Sequence, residues 1–221
     1  MAYDLYVITD RTIGRGRSHD EIARRALDGG ADIIQLRDKD LPCREFLAEA
    51  CTIREITAEA GRLFIVNDRI EVALSAEADG VHLGQDDLPV RAARRIAPRD
   101  FIIGVSVKSV ADALSAESAG ADYVALSPTF STASKDDAGP GHGLGPLREI
   151  CCAVSLPVLA IGGIGPHNVE MVIGAGADGI AVISSVVGED DIGQAARRMK
   201  ALITNAKNRR GNPRGPDELP G

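Results

Sequence analysis

Polar and charged residues follow short apolar segments at several points of the chain, where strands would end. Gln35, Arg37 and Lys39 alternate after one such segment, so an extended backbone would direct one amide and two cations to the same side. Two carboxylates with an amide nearby suit a hard, oxygen-preferring cation such as Mg²⁺, and cations beside them suit phosphate oxygens. The set predicts a metal bridged between carboxylates and a diphosphate, which would neutralise charge on a leaving group. The remaining residues with this placement are Asn67, Asp68, Asp87 and Ser106.

A second anion-binding segment runs from Ala160 to Pro166 and contains three glycines. The glycines let backbone N–H groups approach a phosphate. Pro166 is well placed in the first turn of a following helix, whose N-terminus would favour an anion. Ser184 and Ser185, after a later apolar segment, would add N–H and hydroxyl donors. A tight turn that needs glycine is the structural alternative for this segment.

A long connection from Ser127 to Gly145 separates two of the apolar segments. It carries Thr132, Ser134 and Lys135, and a loop of this length in a compact domain is usually functional or mobile. We interpret it as a lid that brings hydroxyl groups and one cation to the site. The sequence has no Gly-x-x-x-x-Gly-Lys segment, which disfavours a P-loop ATPase.

A repeat indicates the elements that must position these residues. Gly-Ala-Asp or a close variant opens four apolar segments, at 29–36, 77–84, 119–126 and 175–182. Glycine after a helix suits a left-handed cap, and an aliphatic run suits a strand buried on both faces. Four more such strands lie between these, and helices fill the gaps, the last over Ile192–Ile203. Eight β–α pairs predict an α/β fold, a single-domain (β/α)8 TIM barrel, with a doubly wound open sheet as the alternative.

In a barrel of this kind the functional site lies at the carboxyl ends of the strands, where the polar residues stand. Their occurrence after neighbouring strands favours a functional site over polar strand ends alone. We assign the catalytic barrel to residues 1–204. Residues 205–221 are rich in Pro, Gly, Asn and Arg and lack apolar periodicity, which predicts a disordered C-terminal tail whose basic residues are solvated.

Composition excludes several classes of protein. The 221 residues carry a formal net charge of −7, which argues against a general nucleic-acid-binding protein. Hydrophobic residues make up 44% and aromatic residues only 3%, so the core must be aliphatic. No apolar run approaches the roughly 18 residues of a membrane helix, and the N-terminus lacks a basic n-region. We therefore expect a cytoplasmic protein without nucleic-acid or membrane partners.

The histidines and cysteines are interpreted as structural. His82 lies inside a strand and His142 in a glycine-rich segment, and neither has a spacing that requires catalysis. The four cysteines form no C-x-x-C pair and no cluster with His at zinc spacing. We expect free thiols that are buried or half-buried.

The motifs together resemble the thiamine phosphate synthase family, also called thiamine-phosphate pyrophosphorylases, over nearly the whole chain. The resemblance implies a transferase that condenses 4-amino-2-methyl-5-hydroxymethylpyrimidine diphosphate with hydroxyethylthiazole phosphate to give thiamine phosphate and pyrophosphate. In this family the C–O bond to pyrophosphate breaks early, with Mg²⁺ assisting, and the thiazole nitrogen attacks a pyrimidinylmethyl cation. The segments that match are LYVITD at the start, QLRDK (35–39), VND (66–68), HLGQDD (82–87), GVS (104–106), STASK (131–135), IGGI (161–164) and GADGIAVIS.

The resemblance also implies roles for individual residues. Gln35 would position the pyrimidine diphosphate, and Asn67 and Ser106 would contact it. Asp68 and Asp87 would hold Mg²⁺. The diphosphate would be bound by Arg37, Lys39 and Lys135, which with Ser106 are the predicted catalytic residues. The ligands implied for the thiazole phosphate are Thr132, Ser134, Gly163, Ile183 and Ser184.

Some positions depart from the family pattern, and two other functions stay open. SPTFSTASK replaces the commoner GPxxPTxTK, so Ser127, Ser131 and Ser134 stand in place of Gly, Pro and Thr. Lys108 follows GVS where a small or His-containing stretch is expected. The alternatives are a thiazole tautomerase-like isomerase on the same barrel, which lacks the diphosphate-binding set, and a non-catalytic phosphate-binding sensor barrel. The sequence leaves the oligomeric state open, a homo-oligomer included.

Overall fold

Eight short aliphatic segments form the strands of a closed parallel barrel in the computed structural model, which describes residues 3–132 and 140–211. Apart from Leu63 and Ser106, every strand residue is buried, as expected where helices cover one face and side chains fill the other. Leu5 of the first strand pairs with Ile180 of the last, which closes the sheet and confirms the (β/α)8 prediction over the open sheet. The strands are β1 (Leu5–Ile8), β2 (Ile33–Leu36), β3 (Leu63–Asn67), β4 (Gly80–Leu83), β5 (Ile102–Val107), β6 (Tyr123–Leu126), β7 (Val158–Ile161) and β8 (Gly179–Val182).

Helices follow the strands and cover the outside of the barrel. Ser18 caps the first helix, because its side chain accepts a hydrogen bond from the backbone N–H of Glu21. One short helix directly after β8 is absent from the prediction. The helices are α1 (His19–Asp28), α2 (Cys43–Glu59), α3 (Ile70–Ser75), α4 (Val90–Ile96), α5 (Val110–Ala119), α6 (Leu144–Ala153), α7 (Val169–Gly174), α8 (Ser184–Val187) and α9 (Ile192–Gly211).

The repeated aspartate binds each even-numbered strand to the strand before it. Asp32 precedes β2, and both its side chain and its backbone N–H bond to the backbone of Leu5 at the start of β1. The same two-point contact recurs at the other three copies, with carboxylate distances of 2.7–2.9 Å. The pairs are Asp79 with Phe64, Asp122 with Ile103 and Asp178 with Val158. The repeat therefore stabilises the amino-terminal end of the barrel, opposite the predicted site.

The last helix is longer than the sequence analysis predicts. Along α9 the buried residues Ile192, Ala196, Met199, Ile203 and Ala206 follow helical spacing. Beyond Ile203, the helix is also held by side-chain bonds to the barrel, from Lys207 to Asp4 and from Arg210 to the carbonyl oxygens of Ile173 and Ala177. Residues 205–211 are therefore helical, which corrects the tail boundary, and 212–221 lie outside the described residues.

The cysteines are free, as predicted, but their exposure was predicted wrongly. Cys43, Cys51 and Cys152 are exposed because they lie on the solvent side of α2 and α6, and only Cys151 is half-buried. Within residues 3–132 and 140–211, no helix is long and apolar enough to cross a membrane.

Candidate active site

A polar cavity of ≈ 890 Å³ opens at the carboxyl ends of β2 to β5. Parallel strands bring these ends to one rim, so residues that are far apart in sequence face a common space. The cavity wall also includes His82, Lys108 and the Ser127–Pro128 segment. Six of the residues singled out in the sequence line it: Arg37, Lys39, Asn67, Asp68, Asp87 and Ser106.

Two carboxylates and one ammonium group meet on one side of this cavity. Lys39 donates a hydrogen bond to the Asp68 carboxylate, and Asp68 and Asp87 lie within hydrogen-bonding reach of each other. Burial opposes ionisation of Asp68, but the hydrogen bonds from Lys39 and Asp87 outweigh it and lower the pKa of Asp68. Burial and the neighbouring Asp68 raise the pKa of Asp87, although the Gly84 N–H donates to it at 2.7 Å. The pair is short of positive charge, so a cation placed between the two carboxylates would be stabilised.

The backbone at Asp68 is also unusual. Its φ of 61° lies in the left-handed region, which costs energy for a residue other than glycine. The Asp68 N–H donates to the carbonyl oxygen of His82 at 2.8 Å and helps to hold this conformation. Among the described residues, no group of three His, Cys, Asp or Glu side chains gathers as a metal cluster. The donor set fits Mg²⁺, which commonly takes one or two carboxylates and fills its other positions with water and phosphate oxygens.

The two residues that follow β1, Thr9 and Asp10, hold Arg37 in place. Its guanidinium group lies 3.1 Å from Asp10, and both side chains are 14% exposed. Thr9, just before Asp10, accepts the Arg37 N–H at 3.4 Å and bonds at 2.8 Å to the buried ring of His19. The other ring nitrogen of His19 lies 3.1 Å from Asp38. The loop after β2 is therefore anchored on both sides of Arg37, which orients its cation in the cavity.

A second cavity of ≈ 400 Å³ adjoins the first, and Ser127 and Pro128 line both. Gly163 has a φ of 61°, and a Cβ there would lie 2.6 Å from the carbonyl oxygen of Ser131, so the close approach requires glycine. Asn168 holds this turn, because it donates to the carbonyl oxygen of Gly163 and accepts the Gly165 N–H. Four predicted thiazole phosphate ligands line this second cavity: Thr132, Gly163, Ile183 and Ser184.

The prediction for Pro166 is wrong, Gln35 is not among the residues that line the two cavities, and two further predicted residues are not described. Pro166 is not in the first turn of α7, since that helix begins three residues later at Val169 and Asn168 closes the glycine turn instead. Gln35 is 2% exposed, and its amide bonds to Tyr6 inside the barrel. Ser134 and Lys135 lie outside the described residues.

Several residues of the site were not predicted from the sequence. Asp10 stands two residues after β1, so the strand-end criterion applied to the other strands would have found it. Lys108 was noted only as a departure, yet it lines the first cavity. His82 was interpreted as structural, although its ring contacts Ser106 at the cavity wall. Asn168 could not be recognised from the sequence, where only its position after the glycine turn sets it apart.

Comparison with known proteins identifies relatives along nearly the whole chain. The family model described as thiamine monophosphate synthase matches residues 5–186. A thiamine-phosphate synthase of Methanoculleus marisnigri is 65% identical over 207 residues, which cover 94% of this chain and 98% of that protein. One from Methanoregula boonei is 61% identical over 207 residues, 94% of this chain and 96% of that protein.

Solved structures agree with these sequence relatives. A thiamine phosphate pyrophosphorylase from Pyrococcus furiosus superposes with a TM-score of 0.86 at 44% identity, covering 92% of this chain and 96% of that one. A 3-hexulose-6-phosphate synthase has a TM-score of 0.70 at 19% identity, over 90% of this chain and 99% of that one. At that identity the second likeness concerns the barrel fold alone.

Proposed function

The chain belongs to the thiamine monophosphate synthase family and is a transferase of thiamine biosynthesis, and from this premise we propose its substrates and the residues that act on them. It joins 4-amino-2-methyl-5-hydroxymethylpyrimidine diphosphate to hydroxyethylthiazole phosphate and releases pyrophosphate. The observation that carries the proposal is the pair of adjoining cavities with a common wall at Ser127 and Pro128. Two phosphorylated substrates whose reacting atoms must meet need such neighbouring sites.

The polar cavity takes the pyrimidine diphosphate. Arg37 and Lys39 neutralise its phosphate oxygens, and Lys135 adds a third cation from the loop after β6. Asn67 and Ser106 contact the pyrimidine portion, and Gln35 positions it. Asp10 keeps the Arg37 guanidinium group oriented, which supports this assignment because a preorganised cation stabilises developing charge without reorganisation.

Asp68 and Asp87 hold Mg²⁺ at this diphosphate. The raised pKa of Asp87 beside Asp68 supports the assignment, because a divalent cation between the two would relieve their repulsion. When bound, the ion supplies positive charge to the leaving pyrophosphate. Lys39, which donates to Asp68, lies beside this pair and would bind the diphosphate oxygens.

The second cavity takes the thiazole phosphate. Gly163 lets the backbone approach the phosphate, and Ile183 and Ser184 contribute backbone and hydroxyl donors at the end of β8. Thr132, which lines this cavity, and Ser134 are the proposed hydroxyl ligands. The wall shared by the two cavities supports this division, because substrates bound on its two sides would have their reacting rings close together.

The chain's own residues then have three tasks. They neutralise charge as the C–O bond to pyrophosphate breaks, they exclude water from the pyrimidinylmethyl cation, and they hold the thiazole nitrogen ready to attack. A strong base is not required at that step. Catalysis therefore depends on Arg37, Lys39, Ser106 and Lys135 as charge-stabilising and positioning groups.

Product formation tests this function against its two alternatives. Purified protein is incubated with both substrates and Mg²⁺, and thiamine phosphate and pyrophosphate are measured, with each component omitted in turn. We expect equal amounts of the two products, and neither when one substrate or the metal is omitted. Isomerisation of a thiazole phosphate alone would indicate the tautomerase, and phosphate binding without turnover would indicate the sensor.

A further inference from the structure

A continuous chain of hydrogen bonds crosses the interior of the barrel between two residues of the proposed pyrimidine site. It runs from Gln35 on β2 through Tyr6 on β1, Tyr123 on β6 and His82 on β4 to Ser106 on β5. The Gln35 Nε2 lies 2.7 Å from the Tyr6 hydroxyl, which lies 3.1 Å from that of Tyr123. Tyr123 is 2.9 Å from His82 Nδ1, and His82 Nε2 is 3.0 Å from the Ser106 hydroxyl. Four consecutive hydrogen bonds thus join five residues, each from a different strand of the barrel.

The chain has a direction. Gln35 donates its amide N–H, so the Tyr6 oxygen is the acceptor and the Tyr6 proton needs another acceptor. Because Tyr6 is only 1% exposed, that acceptor is the Tyr123 oxygen, since a buried hydroxyl without a partner is costly. Tyr123 in turn donates to Nδ1 of His82. The imidazole therefore carries its proton on Nε2 and donates it to Ser106, whose own proton is left for the cavity.

Three further observations show how the barrel accommodates this chain of hydrogen bonds. Burial raises the pKa of both Tyr6 and Tyr123, so each phenol keeps the proton that it donates. The Tyr123 ring extends over Gly104, where a Cβ would lie 1.9 Å from Cζ of the ring. The ring also stacks on His82, with centroids 5.6 Å apart. Glycine at 104 thus makes room for the tyrosine that joins the two halves of the chain.

We propose that Tyr6, Tyr123 and His82 are positioning residues that hold Gln35 and Ser106 in one fixed donor–acceptor order. Gln35, whose amide nitrogen is used by Tyr6, presents its carbonyl oxygen as an acceptor. Ser106, which accepts from His82, presents a proton. An aminopyrimidine offers the complement, an amino donor beside ring-nitrogen acceptors. The identity of that ligand rests on the proposed function, whereas the donor–acceptor order of the hydrogen bonds does not.

The first experiment measures the His82 tautomer in the ligand-free protein by ¹⁵N NMR of histidine-labelled protein. His82→Gln identifies the His82 signals among those of the four histidines. We expect a protonated Nε2 and an unprotonated Nδ1 near neutral pH, and an Nδ1 resonance that moves downfield in Tyr123→Phe, because that nitrogen then loses the hydrogen bond from Tyr123. A proton on Nδ1 in the wild type, or an Nδ1 resonance unaffected by Tyr123→Phe, would overturn the proposal. If the protein forms no thiamine phosphate, the proposed function is refuted. The NMR measurement still decides whether the hydrogen bonds have the proposed order.

The second experiment separates positioning from structural support by kinetics. Tyr123→Phe should lower kcat/KM for the pyrimidine diphosphate about tenfold, as expected for a lost buried hydrogen bond, with KM for the thiazole phosphate unchanged. Tyr3→Phe is the matched control, because the Tyr3 ring also packs on Tyr123, 5.6 Å between centroids, while its hydroxyl is outside the chain. It should stay within about twofold of wild type.

Rescue by a conservative variant completes the test. His82→Gln retains one acceptor and one donor and should exceed His82→Leu in kcat/KM, although both remove the ring. If Tyr123→Phe unfolds, as judged by Tm, Tyr6→Phe cuts the same chain one bond earlier and takes its place. Equal losses in Tyr3→Phe and Tyr123→Phe, or equal activity of the two His82 variants, would contradict positioning.

Discussion

Lys39 donates a hydrogen bond to Asp68, so the cation predicted to bind diphosphate and a carboxylate predicted to bind magnesium are partners of each other. The Lys39 side chain is 59% exposed and that of Asp68 is 22% exposed, so the pair can separate at little cost. A metal diphosphate would offer Asp68 a cation and Lys39 an anion. Such binding would exchange one ion pair for two, and would link metal binding and substrate binding at the same residues.

Asp68→Ala and Asp87→Ala should each lower turnover about 10²–10³-fold at sub-saturating Mg²⁺, because the leaving pyrophosphate is then poorly neutralised. If the carboxylates act as one unit, the double variant should be little worse than the worse single variant. Excess Mg²⁺ should partly restore the single variants. Asp40→Ala, an exposed carboxylate in the loop after β2, serves as the control. Normal turnover of both single variants at low Mg²⁺ would refute the metal assignment.

Asp10→Ala should lower kcat/KM for the pyrimidine diphosphate by about tenfold, since Arg37 loses a partly buried charged hydrogen bond that orients it. Asp10→Asn keeps one acceptor oxygen for Arg37 and loses the other, which accepts the Ile13 N–H at 2.9 Å, so its loss of kcat/KM should be smaller than that of Asp10→Ala. Steady-state kinetics with the pyrimidine diphosphate varied provides the comparison. Equal losses in the two variants would show that charge, and not orientation, is the contribution of Asp10.

Glu77→Gly should stabilise the fold. Three copies of the repeat have glycine at positive φ before Ala-Asp, at Gly30, Gly120 and Gly176, whereas the fourth has Glu77 at a φ of 51°. Glu77 is exposed, so the substitution removes backbone strain of about 1 kcal/mol and little packing. Gly120→Ala, at a φ of 95°, should destabilise by a similar amount. Chemical denaturation of the two variants measures both effects, and a lower stability of Glu77→Gly would contradict the strain argument.

Lys207→Met should lower Tm near neutral pH. Burial opposes the charged form of Asp4, but hydrogen bonds from Lys207 and Lys200 outweigh it and lower the Asp4 pKa. A carboxyl group with a lowered pKa stabilises the fold above its ordinary pKa of 3.8, and this contribution is lost as the pH falls through the folded-state pKa. The difference from wild type should therefore shrink below about pH 4.

The control for this pair is Arg209→Met on the same helix. Arg209 bonds to Glu170, but the two side chains are 61% and 50% exposed, so its loss should hardly change Tm. If Lys207→Met and Arg209→Met behaved alike at neutral pH, residues 205–211 would contribute no specific attachment to the barrel.

The strand-end residues of the site could be predicted because two simple rules place them: side chains alternate in direction along a strand, and the strands of a parallel barrel end at one rim. Arg37 and Lys39 follow β2 at alternate positions, and Asp68 follows β3, so a parallel barrel must bring them to one rim. The repeat of Gly-Ala-Asp also predicted closure, and the two-point bonds of Asp32 and its counterparts are the physical cause of that repeat. Both features can be predicted once each residue is assigned to its own strand, without knowledge of which side chains meet across the barrel.

The features that were not predicted depend on which strands are neighbours and on which side chains meet across the barrel interior. Asp10 reaches Arg37 because β1 and β2 pair, with Ile8 opposite Gln35. Tyr6 and Tyr123 meet although 117 residues separate them in sequence. Their residue type alone predicts two tyrosines in the core and does not indicate that their hydroxyl groups bond to each other. The polar composition after Asn205 concealed the end of α9, although Ala206 continues the buried stripe and Lys207 finds partners on distant elements.

The division of the two cavities between the two substrates is tested most directly by the Michaelis constants of Gly163→Val. Gly163 lines the second cavity, and a side chain there meets the carbonyl oxygen of Ser131, whereas Asp68 and Asp87 line the other cavity. Ser184→Ala, a milder change in the same cavity, guards against a folding defect together with the Tm of both variants. We predict that KM for the thiazole phosphate rises at least about tenfold while KM for the pyrimidine diphosphate stays within about twofold. An equal rise of both constants in a folded variant, or a rise for the pyrimidine diphosphate alone, would contradict the account.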